Sequence, residues 1–150
     1  MRVKSLRVQR LPAGLARIVR LFDGVDEDGR RERLLALAET ADRYSPESGV
    51  RYAVEDLRHD PECSDEVGVY VAREEGGRIR VRMRLGPGVQ TLTRALAVVL
   101  CRGLDGASAA EVAALGREFI DIIVGGPLML RRSQTVYYVL GRVQEAVRSL

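Results

Sequence analysis

The sequence has few of the features that mark several common classes of protein. Among its 150 residues only Cys63 and Cys101 are cysteines, so a disulfide scaffold is excluded and free thiols in a reducing cytoplasm are expected. The longest strongly apolar run, from Ala95 to Cys101, is far shorter than the roughly 20 residues of a membrane-spanning helix. Arginines interrupt the first 22 residues, which therefore lack the apolar stretch of a secretory signal. We expect a cytoplasmic protein that does not enter a membrane.

Signals for metal, nucleotide and nucleic-acid binding are also sparse. His59 is the only histidine, and no paired CxxC or HxxxH accompanies it, so no metal site is predicted. The segments GGRIR and LGPGVQT lack the glycine spacing of a P-loop or a dinucleotide-binding turn. The excess of 24 basic over 21 acidic residues is small and comes without a recognised nucleic-acid motif. We therefore predict no cofactor and no nucleic-acid partner.

Apolar residues recur with helical spacing on both sides of a short β-rich region. Helices are predicted after Pro12, from Leu34 to Tyr44 and, as the central buried helix, between Val89 and Gly103. Two more N-termini have capping signals. Ser108 followed by Glu111 matches a capping box, and Ser133 is available as the N-cap of the last helix. A further turn is expected around Phe119 and Ile123.

The β-rich region predicts a small antiparallel sheet. Strands are expected from Val67 to Ala72 and from Ile79 to Leu85, joined by a turn at Gly76 and Gly77, with a short extended piece before Asp56. Helices, a sheet of about three strands and more helices make an α+β domain that covers residues 1–150.

Apolar residues alternate with arginines along the second of these strands. The arginines are Arg78, Arg80, Arg82 and Arg84. Alternation of this kind is typical of a strand with one buried and one wet face. We expect the arginines to form a solvated outer face, with docking of an acidic partner as the alternative.

Cys63 lies in a polar turn, DPECSDEV, directly before a predicted strand, where its thiol can reach a partner. A cysteine thiolate can attack a sulfane sulfur and hold it as a persulfide, whereas the alternative is an incidental loop cysteine. Four acidic residues surround it: Asp60, Glu62, Asp65 and Glu66. Because negative charge disfavours a thiolate, we expect a partner to activate Cys63. Cys101 lies in an apolar helix and is expected in the core.

From about residue 20 to 150 the chain resembles the SufE/CsdE family, sulfur acceptors that work with cysteine desulfurases in iron–sulfur cluster assembly. The run ECSDEVGVYV is similar to the family's GCxSxVWLV, whose cysteine accepts the sulfur, and this carries that role to Cys63. RERLLALAETADRYSPE is similar to a family helix ending in LP, and TLTRALAVVLCRGLDGASAAEV resembles the family's buried helix and following turn. The resemblance implies a SufE/IscU-like fold.

Near the C-terminus, LRRSQTVYYVLGRVQEAV is similar to the family's SPSRxxGLxxMxxxI and aligns Arg132 with the family's arginine. Several positions depart from the family pattern. Gly68 replaces a tryptophan, Leu130 and Arg131 replace proline and serine, Thr135 replaces a glycine, and GPGVQ, which includes Val89, replaces GDSDA.

The resemblance implies a persulfide carrier that stimulates a SufS-like cysteine desulfurase and passes sulfur from Cys63 to an iron–sulfur scaffold or another acceptor. It implies a supporting role for Arg132. The residues expected to contact the partner are Asp60, Glu62, Ser64 and Asp65. No metal, nucleotide or other cofactor of its own is expected, since carbon–sulfur cleavage belongs to the desulfurase. The alternative is an interaction or regulatory domain of the same fold that binds an acidic protein and does no sulfur chemistry.

Overall fold

A computed structural model of the chain describes residues 10–58 and 65–150, apart from the side chains of residues 127–134 and 136. Within these ranges six α-helices accompany a three-stranded antiparallel sheet, which confirms the predicted α+β class. In chain order the elements are α1 (Ala13–Arg20), α2 (Glu27–Glu39), β1 (Val54–Asp56), β2 (Val67–Arg73), β3 (Ile79–Leu85), α3 (Thr91–Gly103), α4 (Ala109–Ala113), α5 (Glu118–Val124) and α6 (Gly126–Arg148). Short 3₁₀ turns occupy Ala41–Tyr44 and Glu75–Gly77. None of the described helices is long and apolar enough to cross a membrane.

The sheet has the order β1-β2-β3, and both pairs of neighbouring strands are antiparallel. β2 and β3 pair along their whole length, starting with Val67 opposite Leu85. The turn between them contains Gly76 and Gly77 at φ angles of 78° and 74°, a region that side-chain-bearing residues rarely adopt. These two glycines thus explain why the chain reverses here, and the predicted hairpin is confirmed.

One face of the sheet packs against α3 and α6. Alternate residues of a strand share one side, and the residues on this side include Val69, Val71 and Val81. All three are fully buried. Helix α3 is buried on nearly every side, between α1, α2 and β3, as the apolar arc of its sequence predicts. Burying one such valine side chain contributes about 1.5–3 kcal/mol, so this interface stabilises the fold.

The last helix begins earlier than the sequence suggests. It starts at Gly126, and Ser133 lies well inside it, so the prediction of Ser133 as the N-cap is wrong. Pro127 is accepted in the first turn because the N–H group it lacks would have no intrahelical acceptor there. Gly125 separates α5 from α6 with a φ of 81°. The proline therefore lies in the first turn of α6.

The outer face of the sheet is partly covered by the segment between α2 and β1. Tyr52 meets Tyr70 of β2 edge to face, with ring centres 5.4 Å apart. The guanidinium of Arg82 lies 5.7 Å from the ring centre of Tyr44 and 3.4 Å from the carboxylate of Glu47. Arg82 is therefore buried, and the prediction of a fully solvated arginine face is wrong for this residue.

Candidate functional site

The segment that contains Cys63 joins the end of β1 to the start of β2. Cys63 itself lies outside the described residues, and so do the other predicted site residues Asp60, Glu62 and Ser64 and the lone histidine, His59. The structure does describe the two ends of this segment. We call residues 56–58 the first stem and residues 65–68 the second stem.

Arg142 of α6 binds both stems. Its side chain is only 3% exposed, and it donates hydrogen bonds to the backbone carbonyl of Val67 in the second stem and to that of Asp56 in the first, the latter at 2.7 Å. Its Nη2 also lies 3.2 Å from the Asp56 carboxylate. A buried guanidinium needs such partners, since an uncompensated charge in the protein interior is costly. Arg142 therefore fixes the distance between the two stems.

Asp56 is the acidic partner in this cluster. Arg58 donates to its carboxylate from the side chain, at 2.8 Å, and from the backbone, at 3.1 Å. Burial acts to raise the pKa of Asp56, but the hydrogen bonds from Arg58 and Arg142 outweigh it and hold that pKa at about 2. Hydrogen bonding to Asp56 and then to Glu145 raises the pKa of Arg58. The first stem is thus bound to α6 through Arg142 and through the pairing of Arg58 with Glu145.

Asp65 anchors the second stem to the N-terminus of α3. Its carboxylate accepts hydrogen bonds from the Thr93 hydroxyl at 2.5 Å and from the Gln90 backbone N–H at 3.3 Å. Gln90, the residue that precedes the helix, makes no side-chain cap of its own. A carboxylate from the neighbouring segment therefore takes the place of the cap, where the helix dipole also favours negative charge.

The sequence predicts Asp65 as a partner contact, but in the structure it is buried and bonded within the chain. Its role among the described residues is to hold the second stem. Arg132 lies in α6, and because its side chain is outside the described part, its support of Cys63 stays a prediction. The arginine that sequence reasoning missed is Arg142. Its position between Val139 and Val143, on a helix face that is otherwise apolar, is the sequence pattern that indicates a buried arginine.

Cys101 is completely buried within α3, which confirms its predicted place in the core. Burial raises the pKa of its thiol to about 12. Only a trace of thiolate exists at neutral pH in such a site, and the thiolate is the nucleophile in sulfur chemistry. Of the two cysteines in the sequence, Cys63 is therefore the candidate for thiol chemistry.

A groove of about 500 Å³ lies directly beside the stems. It is lined by both stems and by the end of β3 with the turn that follows. The lining residues are Leu57, Arg58, Glu66, Val67, Gly68, Arg84, Leu85, Gly86 and Pro87. The groove thus occupies the end of the sheet that carries the Cys63 segment.

The arginines of β3 differ in whether they form ion pairs with acidic side chains of the described residues. Arg80 lies 2.5 Å from the Glu74 carboxylate and 3.4 Å from that of Glu47, which also pairs with Arg82. Arg84 is exposed, and its guanidinium lies 5.6 Å from the ring centre of Tyr70. An acidic partner on this strand would therefore be bound mainly by Arg84.

Metal-binding groups do not converge in the parts of the chain that the structure describes, where no three His, Cys, Asp or Glu side chains come together.

No protein-family model matches the sequence, and no curated protein does. Among solved structures, the chain is similar to the solution structure of a hypothetical protein from Thermus thermophilus. The two chains share 25% identity with a TM-score of 0.66, and the match covers 93% of this chain and 96% of the other. The likeness thus extends over nearly all of both chains. It concerns the α+β fold, since the Thermus protein is described only as hypothetical.

Proposed function

We propose that this protein is a persulfide carrier, in which Cys63 accepts sulfane sulfur from a cysteine desulfurase and passes it to iron–sulfur cluster assembly. The observation that carries the proposal is the way the chain holds the Cys63 segment. Arg142 binds both stems, and Asp65 ties the second stem to α3. The resemblance of the surrounding sequence to the SufE/CsdE family supports the same function.

The transfer exchanges one sulfur–sulfur bond for another. The Cys63 thiolate attacks the outer sulfur of the donor's cysteine persulfide, a new bond forms between the two sulfurs, and the donor's own thiolate leaves. The proton on the outer sulfur stays with it, so the step needs no oxidant or reductant. Delivery repeats the exchange, with the acceptor's thiolate attacking the sulfur that Cys63 carries.

Fixed stems suit this chemistry because a carrier must bring one small thiol into another protein's active site. Ordering a segment at the moment of binding costs conformational entropy. The buried contacts of Arg142 and Asp65 fix both ends of the Cys63 segment before a partner arrives. Less of the binding free energy is then spent on ordering these ends.

The acidic surroundings of Cys63 are partly compensated within the chain. Asp65, two residues after Cys63, has its carboxylate bonded at the positive end of α3. The run from Asp60 to Val67, which contains Cys63, has no basic residue. We therefore infer that the desulfurase supplies the group that promotes the thiolate once the two proteins have bound.

Substitution of each cysteine tests this function. We expect Cys63→Ser to abolish the stimulation of a cysteine desulfurase from the same organism, because a serine hydroxyl cannot form a persulfide. Cys101→Ala is the matched control and should stimulate as the wild type does, since Cys101 is sealed in the core. The measurement is the rate of alanine release from L-cysteine. Stimulation by Cys63→Ser equal to that by the wild type would refute the proposal.

A further inference from the structure

A protein that delivers sulfur to Cys63 has to approach the surface around the two stems. Among the described residues, one concave feature of that surface is the groove formed by the stems, by Arg84 and by the turn at Gly86. Its volume of about 500 Å³ is within the range of about 300–1,000 Å³ that is usual for binding pockets in proteins. It can therefore receive part of a partner's loop.

Gly68 lets two side chains pack closely beside the groove. A Cβ atom built on Gly68 would lie 3.0 Å from Cδ2 of Leu57 and 3.3 Å from Cε2 of Tyr70. The backbone of Gly68 is outside the left-handed region, so other residues can adopt it. The missing side chain thus permits this close packing, and a larger residue at this position would displace Leu57 and Tyr70.

Leu57 gives the groove an apolar wall. It is 61% exposed, more than Leu35 at 48% or Leu21 at 43%, the other large apolar side chains that the described residues expose. Apolar side chains at a concave surface next to a functional segment commonly mark a protein interface. Leu57 therefore offers an apolar surface to a side chain of a partner.

Three charged side chains line the groove: Arg58, Glu66 and Arg84. Arg58 is already paired with Asp56 and Glu145. Arg84, in contrast, has no acidic partner among the described residues, and its side chain is exposed beside the ring of Tyr70. The exposed guanidinium of Arg84 can donate hydrogen bonds to a partner's carboxylate.

We propose that this groove docks a loop of the sulfur-donor protein that carries an apolar side chain next to a carboxylate. The apolar side chain packs against Leu57, and the carboxylate pairs with Arg84. This inference rests on the proposed function, because it takes the donor to be the protein that reaches Cys63. It adds the surface that the donor binds and the chemistry of the binding segment.

Two changes to the groove test the proposal. Gly68→Phe displaces Leu57 and Tyr70 and so changes the wall of the groove. Arg84→Glu reverses the charge at an exposed position that should not affect folding. We expect each to raise the dissociation constant for the organism's cysteine desulfurase by about tenfold or more, measured by calorimetric titration.

The chain offers a matched control for each kind of contact. Arg73→Glu makes the same charge reversal at an exposed position at the far end of β2. Leu35→Ser, on α2, matches Leu57→Ser, because both replace an exposed leucine. We expect the two control variants to bind as tightly as the wild type and Leu57→Ser to bind more weakly. Circular dichroism melting curves confirm that each variant is folded.

The outcomes separate the two proposals. If Arg84→Glu and Leu57→Ser bind as tightly as Arg73→Glu and Leu35→Ser, the docking proposal is overturned, even when the wild type takes up sulfur. If the wild type binds the desulfurase through the groove and no sulfur reaches Cys63, the persulfide function is overturned and the docking surface stands. No binding by the wild type overturns both.

Discussion

Replacing Arg142 with methionine is expected to lower the free energy of unfolding by about 3–5 kcal/mol, the usual cost of removing one partner from a buried ion pair. Arg142 is 3% exposed and donates to the carbonyls of Val67 and Asp56 as well as to the Asp56 carboxylate. Methionine has a similar length but offers none of these hydrogen bonds, so both carbonyls and the carboxylate lose a buried donor. The measurement is equilibrium unfolding in urea.

Arg148→Met is the control on the same helix. Arg148 is exposed and donates one hydrogen bond, to the carbonyl of Ala113 at 3.2 Å, so its loss should cost under about 1 kcal/mol. The double variant Asp56→Asn with Arg142→Met should lose less stability than the sum of the two single variants, because the charge that Arg142 balances is gone. Equal stability of Arg142→Met and Arg148→Met would show that the stems are not held as described.

The same cluster has a defined dependence on pH. The pKa of Asp56 is lowered from 3.8 to about 2 in the folded chain, so its ionised form is favoured by folding. Such a group contributes stability above its unfolded pKa, and the contribution is lost as the pH falls through the folded value. The difference in the free energy of unfolding between the wild type and Arg142→Met should therefore be largest near pH 7 and should shrink between about pH 4 and pH 2.

The second large effect concerns the two thiols. In the native protein at pH 8, an alkylating reagent such as iodoacetamide should modify Cys63 and leave Cys101 intact. The pKa of about 12 leaves Cys101 with about a thousandfold less thiolate than an ordinary cysteine has, and its complete burial excludes the reagent as well. Peptide mass mapping after a timed reaction measures the labelling of each cysteine.

Unfolding provides the control for this experiment, because both cysteines should react at similar rates in concentrated guanidinium chloride. Rapid labelling of Cys101 in the native state would mean that α3 opens readily, contrary to its position in the core. Protection of Cys63 to the same degree as Cys101 would contradict a surface role for the Cys63 segment.

Local patterns in the sequence predict most of the fold. The alternation along β3 and the two glycines of the hairpin act over neighbouring residues, and both elements form where they are expected. The wide apolar arc between Leu92 and Leu100 likewise predicts that α3 is central. The start of α6 could not be read in the same way, because a Gly-Gly-Pro run fits either a break or a first helical turn.

The contacts that hold the candidate site are less visible in the sequence because they join residues far apart in the chain. Arg142 and Asp56 are 86 residues apart, and Asp65 and Thr93 are 28 apart. The burial of Arg82 likewise depends on Tyr44 and Glu47, which lie in a different segment. The sequence shows the residue types but not these pairings. The role of Cys63 is inferred from the sequence around it and stays a prediction.

The most direct test of the central claim is the intact mass of the protein after incubation with L-cysteine and the organism's cysteine desulfurase. We expect the wild type and Cys101→Ala to gain about 32 Da, the mass of one sulfur atom, and peptide mapping to place it on Cys63. A reducing agent should remove the added mass. Cys63→Ser should gain nothing. A wild-type protein whose mass stays unchanged, or one that carries the added sulfur elsewhere, would contradict the account.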